Sequence, residues 1–166
     1  MIVVIFGVSG VGKTTVGKIV AQDRGWKFYD ADDFHSTANI EKMRNGRPLT
    51  DEDRQPWLQS LRDLIQRCLT QNENAVLACS ALKKKYRDEL RVNPDVKFVF
   101  LRAERAQVVQ HLKNRHGHYF DPKLLDSQFT DLEEPKSDED TLTVELAGEP
   151  RDLASKIESI LRQHGR

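Results

Sequence analysis

Residues 3–15, VVIFGVSGVGKTT, constrain what this chain can fold into more than any other stretch. An apolar run ends at Phe6, and Gly7-Val8-Ser9-Gly10-Val11-Gly12-Lys13-Thr14 then fits G-x-x-x-x-G-K-[ST] without a gap. Such a loop belongs between a buried strand and the start of a helix. Its glycines let the backbone curl so that successive N–H groups point inward, and the helix N-terminus adds partial positive charge. Both flanks are present here, which is the test of the motif. The segment predicts a phosphate cradle: residues 7–15, including Thr15, against a nucleotide, Lys13 at its β- and γ-phosphates and the Thr14 hydroxyl on Mg²⁺. The plainer reading is a glycine-rich turn with no ligand, and motif and context together outweigh it. The loop alone does not separate a kinase from a GTPase or a motor.

Apolar runs at residues 2–6, 27–30, 75–79, 97–101 and 142–146 read as strands. Between them lie stretches of helical period. Residues 13–24 form one, stopped by Gly25; Trp57, Leu58, Leu61, Leu64, Ile65, Cys68 and Leu69 make an inward stripe on another; residues 150–163 form the last, with Leu153, Ile157, Ile160 and Leu161 inward. Strands alternating with helices predict an α/β fold of three layers, a five-stranded parallel sheet covered on both faces. The 166 residues carry no linker or repeat and predict one domain. The polar segment 133–140, EEPKSDED, reads as an exposed loop before the last strand.

Charge and cysteine content narrow the function. Basic and acidic residues balance at 26 each and aromatics are 7%, so neither a phosphate-neutralising surface nor an aromatic-lined basic groove is indicated, and nucleic acid is not an expected partner. Cys68 and Cys79 form no CxxC pair or Cys/His cluster, which points to reduced thiols and a cytoplasmic protein. The first apolar run, residues 2–6, is too short for a signal peptide or a membrane span.

The acceptor must come from the rest of the chain. The second strand ends FYDADDFH, setting Asp30 and Asp32 on one side at its carboxyl end, the edge where open α/β sheets bind ligands. The third strand ends in Cys79-Ser80, where many P-loop proteins carry a magnesium-binding Asp. Carboxylate work therefore falls to Asp30 and Asp32, one helping to hold Mg²⁺ and the other accepting from the attacking hydroxyl; Asp30 on the metal and Asp32 at the hydroxyl is the division taken here, with the reverse as its alternative. A solvated acidic turn is the alternative. His35 lies on the same loop, and Asp53 and Arg54 come just before the striped helix. Arg54 could grip a carboxylate bidentately or sit in a surface ion pair. Of Lys83, Lys84, Lys85, Arg87 and Arg91, the first could turn into the cleft, or all could form a solvated face. Arg115 beside Gly117 fits a lid over the transferring phosphate, and Gln128 follows.

The segments GVSGVGKTT, DADDFH, NIEKMRNGRPLTDEDRQPWL, CSALKKKYRDELR, RHGHYF and LLDSQFTDLEEP, in this order over most of residues 1–135, resemble the gluconokinases, small P-loop kinases related to shikimate kinase within the nucleoside-monophosphate-kinase-like group. The resemblance implies phosphorylation of D-gluconate at its 6-hydroxyl by ATP with Mg²⁺, feeding the pentose phosphate or Entner–Doudoroff routes. It also implies a small lid over about residues 115–135 and a homodimer. In that reading Lys13, Asp32 and Arg115 are catalytic, and Asp32, His35, Arg54, Lys83 and Gln128 meet the sugar acid. This chain departs from the pattern in having Ser36 after His35, where relatives commonly have Pro, and His111 where many place an Arg on adenine. Another small-molecule kinase of the shikimate type, and a nucleotide-binding regulator without catalysis, are the competing readings. The intact set Lys13, Thr14, Asp30 and Asp32 speaks against the regulator.

Overall fold

Every residue of β1 (Ile2–Phe6) is buried, so this strand must run through a sheet covered on both faces. The computed structural model, which describes residues 1–114 and 122–164, has β1 at the centre of a five-stranded sheet of order β2-β3-β1-β4-β5. The other strands are β2 (Lys27–Asp30), β3 (Ala75–Cys79), β4 (Val96–Arg102) and β5 (Thr141–Glu145), all paired in parallel.

Alternation along β1 sends Ile2, Val4 and Phe6 to one core and Val3 and Ile5 to another. The first core is closed by α3 (Asp51–Thr70) and α4 (Lys84–Leu90), through Trp57, Leu61, Ile65, Tyr86 and Leu90. The second is closed by α1 (Lys13–Arg24), α5 (Arg105–Lys113), α6 (Pro122–Asp131) and α7 (Pro150–His164), through Val16, Val20, Val108, Leu125, Leu153 and Ile157. The short α2 (Thr37–Arg44) lies outside both cores. The predicted three-layer α/β arrangement with its parallel sheet is the one observed.

Two boundaries matter for the site. α1 begins at Lys13 and is closed after Arg24 by Gly25, left-handed at φ 67°. α3 begins at Asp51, which places Asp53 and Arg54 inside its first turns rather than before it. The reason is a capping box: the Asp53 N–H donates to Thr50 Oγ1 at 3.1 Å and the Thr50 N–H to Asp53 Oδ2 at 2.9 Å.

Segment 133–140 corrects the expectation of a wholly exposed loop. Glu139 is buried because it pairs with Arg87, which is 0% exposed. All five guanidinium N–H groups are satisfied. Nε donates to Glu139 Oε1 at 2.5 Å, Nη1 to the Ala81 and Leu82 carbonyls at 2.9 Å each, and Nη2 to the Glu133 carbonyl at 2.8 Å and Glu139 Oε2 at 3.1 Å. A guanidinium cannot shed its proton, so its burial requires a counter-ion. Arg87 is thus no part of a solvated basic face.

Register decides where the loops meet. Phe6 lies opposite Cys79 and Phe100, and Asp30 opposite Ala78. The segments leaving β1, β2 and β3 therefore converge at one carboxyl edge.

Candidate active site

The loop after β1 curls as its glycines allow. Gly12 is left-handed at φ 96°, ψ 24° and caps α1. At Gly7, a Cβ would come within 2.7 Å of the Leu101 carbonyl oxygen, so no side chain fits there. Val8 and Val11 turn into the core and leave only their backbone to the loop, and Thr15 is exposed on α1. Lys13 Nζ donates to the Gly7 and Val8 carbonyls at 2.8 and 3.0 Å, folding back over the loop. Thr14 Oγ1 donates to Asp30 Oδ2 at 2.7 Å, while Asp30 Oδ1 accepts the Asp32 N–H at 3.0 Å. These groups, with Ser9, Gly10, Cys79 and Ser80, enclose a cavity of about 150 Å³.

The donor set suits Mg²⁺ in a particular way. Thr14 uses its only proton on Asp30, leaving hydroxyl lone pairs and a carboxylate side by side. Among the described residues no cluster of three or more His, Cys, Asp or Glu could cage a metal. One hydroxyl and one carboxylate match an ion that keeps its waters and takes phosphate oxygens. Cys79 adds no charge, because burial pushes its thiol up to about 12. Solvent reaches Asp32, yet the crowding of protein around its carboxyl, with Asp30 beside it, raises its pKa against the opposing pull of Lys13.

A second cavity, of about 360 Å³, adjoins the first and shares Ser9, Asp32 and Ser80 with it. Its other walls include Met43, Leu49, Trp57, Ala81 and Leu124, with His35, Arg54, Tyr86, Ser127 and Gln128 as polar groups. That is the mixed lining and size of a small-molecule site. The Trp57 Nε1–H donates to the Ala31 carbonyl at 2.8 Å, fixing its ring, and His35 stacks on it with centroids 4.5 Å apart. Burial first, then the Arg54 charge, lower the His35 pKa to about 4, so the imidazole is neutral at neutral pH. Gln128, from α6, forms two bonds with one loop residue: the Ser9 N–H donates to its Oε1 at 2.6 Å and its Nε2 donates to Ser9 Oγ at 2.8 Å.

The fold therefore brings Lys13, Thr14, Asp30, Asp32, His35, Arg54 and Gln128 to one edge. Lys83 does not join them at the cavity wall; its Nζ donates to Asp51 at 2.9 Å. His111 is exposed on the last turn of α5 and lines neither cavity. Arg115, and residues 115–121 of the expected lid, lie outside the described residues. Sequence reasoning did not place Trp57 and Tyr86 at the site. Trp57 sat in a stripe that also says core, and nothing at helical spacing links Tyr86 to Arg54, 32 residues away.

Known proteins resemble this chain in sequence and in fold. The family profile "Shikimate kinase" matches residues 9–160. The chain is 42% identical to "Probable gluconokinase" of Rattus norvegicus, over 96% of this chain and 97% of that one. It is 43% identical to "Thermoresistant gluconokinase" of Escherichia coli (strain K12), over 96% and 93%. The crystal structure of a gluconokinase from Sinorhizobium meliloti 1021 superposes with a TM-score of 0.83 at 34% identity, covering 99% of this chain and 97% of that one.

Proposed function

The chain belongs to the gluconokinases of the shikimate kinase family, and from that membership we propose that it transfers the γ-phosphoryl group of ATP to the 6-hydroxyl of D-gluconate, giving 6-phospho-D-gluconate and ADP. One observation carries the assignment of parts: Asp32 stands in the wall common to the phosphate cradle and the larger cavity. A hydroxyl presented from the larger cavity would meet this carboxylate at the border of the cradle.

The chain's own groups then divide the work. Backbone N–H groups of residues 7–15 bind the phosphates, and Lys13 exchanges the Gly7 and Val8 carbonyls for phosphate oxygens. Asp32 orients the 6-hydroxyl and takes its proton as the oxygen attacks in line. Arg54 holds the substrate carboxylate at the far end of the chain, while neutral His35 and the Gln128 amide hydrogen-bond its hydroxyls. Thr14 and Asp30 would hold Mg²⁺, which when bound neutralises charge on the β- and γ-phosphates. Residues 115–135 act as the lid, with Arg115 at the transferring phosphate and α6 closing over Ser9; His111 lies against the adenine. Both cysteines are unpaired and buried, as suits a reducing cytoplasm, and a second copy of the chain is the proposed partner.

An ADP-release assay across D-gluconate, shikimate, a neutral polyol and nucleoside monophosphates tests the reading. Turnover with D-gluconate should exceed the rest by orders of magnitude. Preference for shikimate would move the acceptor assignment to the competing kinase type. No turnover with any acceptor would leave the non-catalytic binder.

A further inference from the structure

Arg54 enters the acceptor cavity with part of its guanidinium engaged. Nη1 donates to Tyr86 Oη at 3.0 Å and to Asp131 Oδ2 at 3.4 Å, whereas among the described residues Nε and Nη2 donate to nothing. No buried side-chain polar atom of the described residues lacks a partner, so these two nitrogens are open to solvent. The Nε–Nη2 edge is one that binds a carboxylate through two parallel N–H bonds.

A long flexible side chain keeps one edge available only if something holds the rest of it. Tyr86 does so here. Its ring is buried at 3% exposure, and its hydroxyl accepts from Arg54 and donates to Asp51 Oδ1. Asp51, in the first turn of α3, also receives Lys83 Nζ at 2.9 Å and Lys85 Nζ at 2.6 Å. The Lys85, Tyr86 and Lys83 bonds hold its carboxyl well below the usual carboxylate range, so it is an anion throughout the working pH range. Asp51 forms no part of the cavity wall. Its route to a bound substrate runs through the Tyr86 hydroxyl to Arg54.

We propose that Asp51 is a positioning residue for the acceptor: through Tyr86 it holds Arg54 with the Nε–Nη2 edge presented to the substrate carboxylate. Lys83 then neutralises Asp51 instead of binding substrate, which accounts for its place outside the cavity wall. Without Asp51 the Tyr86 proton loses its acceptor, and Arg54 is free to close on Asp131, the competing carboxylate already 3.4 Å away. The arrangement rests on the reading of Arg54 as the carboxylate ligand.

Steady-state kinetics of Asp51→Ala, Tyr86→Phe, Arg54→Ala and the Asp51→Ala/Arg54→Ala double variant separate the two ideas, with D-gluconate and ATP varied in turn. Asp51→Ala and Tyr86→Phe should each raise KM for D-gluconate about tenfold, the scale of one hydrogen bond to a charged group, and leave KM for ATP unchanged. Arg54→Ala should raise it further, and adding Asp51→Ala to it should change nothing more. A merely structural role would shift both KM values together, or act undiminished in the Arg54→Ala background, and either result overturns the proposal. If Arg54→Ala raises KM and neither Asp51→Ala nor Tyr86→Phe does, positioning fails and the Arg54 reading stands. If Arg54→Ala leaves KM for D-gluconate unchanged, both fall. Tyr86→Phe keeps the buried ring and decides the matter should Asp51→Ala not fold.

Discussion

At the scale of single residues, the informative feature of Asp32 is the conflict in its surroundings. Crowding and Asp30 disfavour its charge while Lys13 favours it, and the balance raises its pKa. A carboxyl so placed is a better proton acceptor than an ordinary Asp and a liability to the fold whenever it is ionised. Asp32→Asn should lower kcat by about 10²-fold or more while raising the melting temperature at pH 7. The acid limb of the wild-type rate profile should also lie above 3.8, the ordinary value for this side chain. Calorimetry and a pH–rate profile check these together. An Asn variant that is both active and no more stable would mean that Asp32 is only part of an acidic turn. The pair Asp30 and Asp32 was legible because it is near in space through being near in sequence, although only Asp30 ends β2: Asp32 lies in the 3-10 turn Ala31–Phe34 that Asp30 caps, not on the extended strand the sequence suggests. The Gln128–Ser9 contact was not legible, since its partners are 119 residues apart and only the seating of α6 joins them.

At the scale of elements, Arg87 ties together parts that the sheet does not. Its N–H groups reach the β3–α4 connection at Ala81 and Leu82, the exit of α6 at Glu133, and Glu139 ahead of β5. Ala81 is held at φ 38°, a left-handed conformation rare for a residue with a Cβ, and its carbonyl is one of those Arg87 binds. Arg87→Met would strand a buried Glu139 carboxylate and should cost about 3–5 kcal/mol in urea unfolding. Arg87→Met with Glu139→Leu should recover much of that loss, because the unpaired charge is gone. Equal stability of the single and double variants would show that the ion pair is not what secures this corner. The basic run of α4 hinted at charge without saying which member was inside. A helix's turn toward or away from the core is settled by what it packs on, and Tyr86, Arg87 and Leu90 make up its buried side.

At the scale of the whole molecule, the neutral His35 couples stability to pH. Its pKa falls from 6.5 to about 4 on folding, through burial and the Arg54 charge. The unfolded chain therefore binds a proton that the folded chain refuses over that interval, and stability must decline as pH drops from 6.5 toward 4. Denaturant titrations across this range should show the slope, and His35→Gln should flatten it; an unchanged slope would place the acid sensitivity elsewhere. The sequence by itself determined the cradle, the parallel sheet and the acidic turn at its edge. Each is written in local terms: a glycine pattern, a run of apolar residues, two carboxylates two residues apart where a strand gives way to a turn. Only the tertiary structure decided that Lys83 faces Asp51 and not the cavity, that Trp57 is wall as well as core, and that Arg87 and Glu139 are buried together. Those outcomes depend on which charges α3, α4 and α6 bring within hydrogen-bonding distance. Burial, which makes an unpaired charge costly, then selects among partners that stand far apart along the chain.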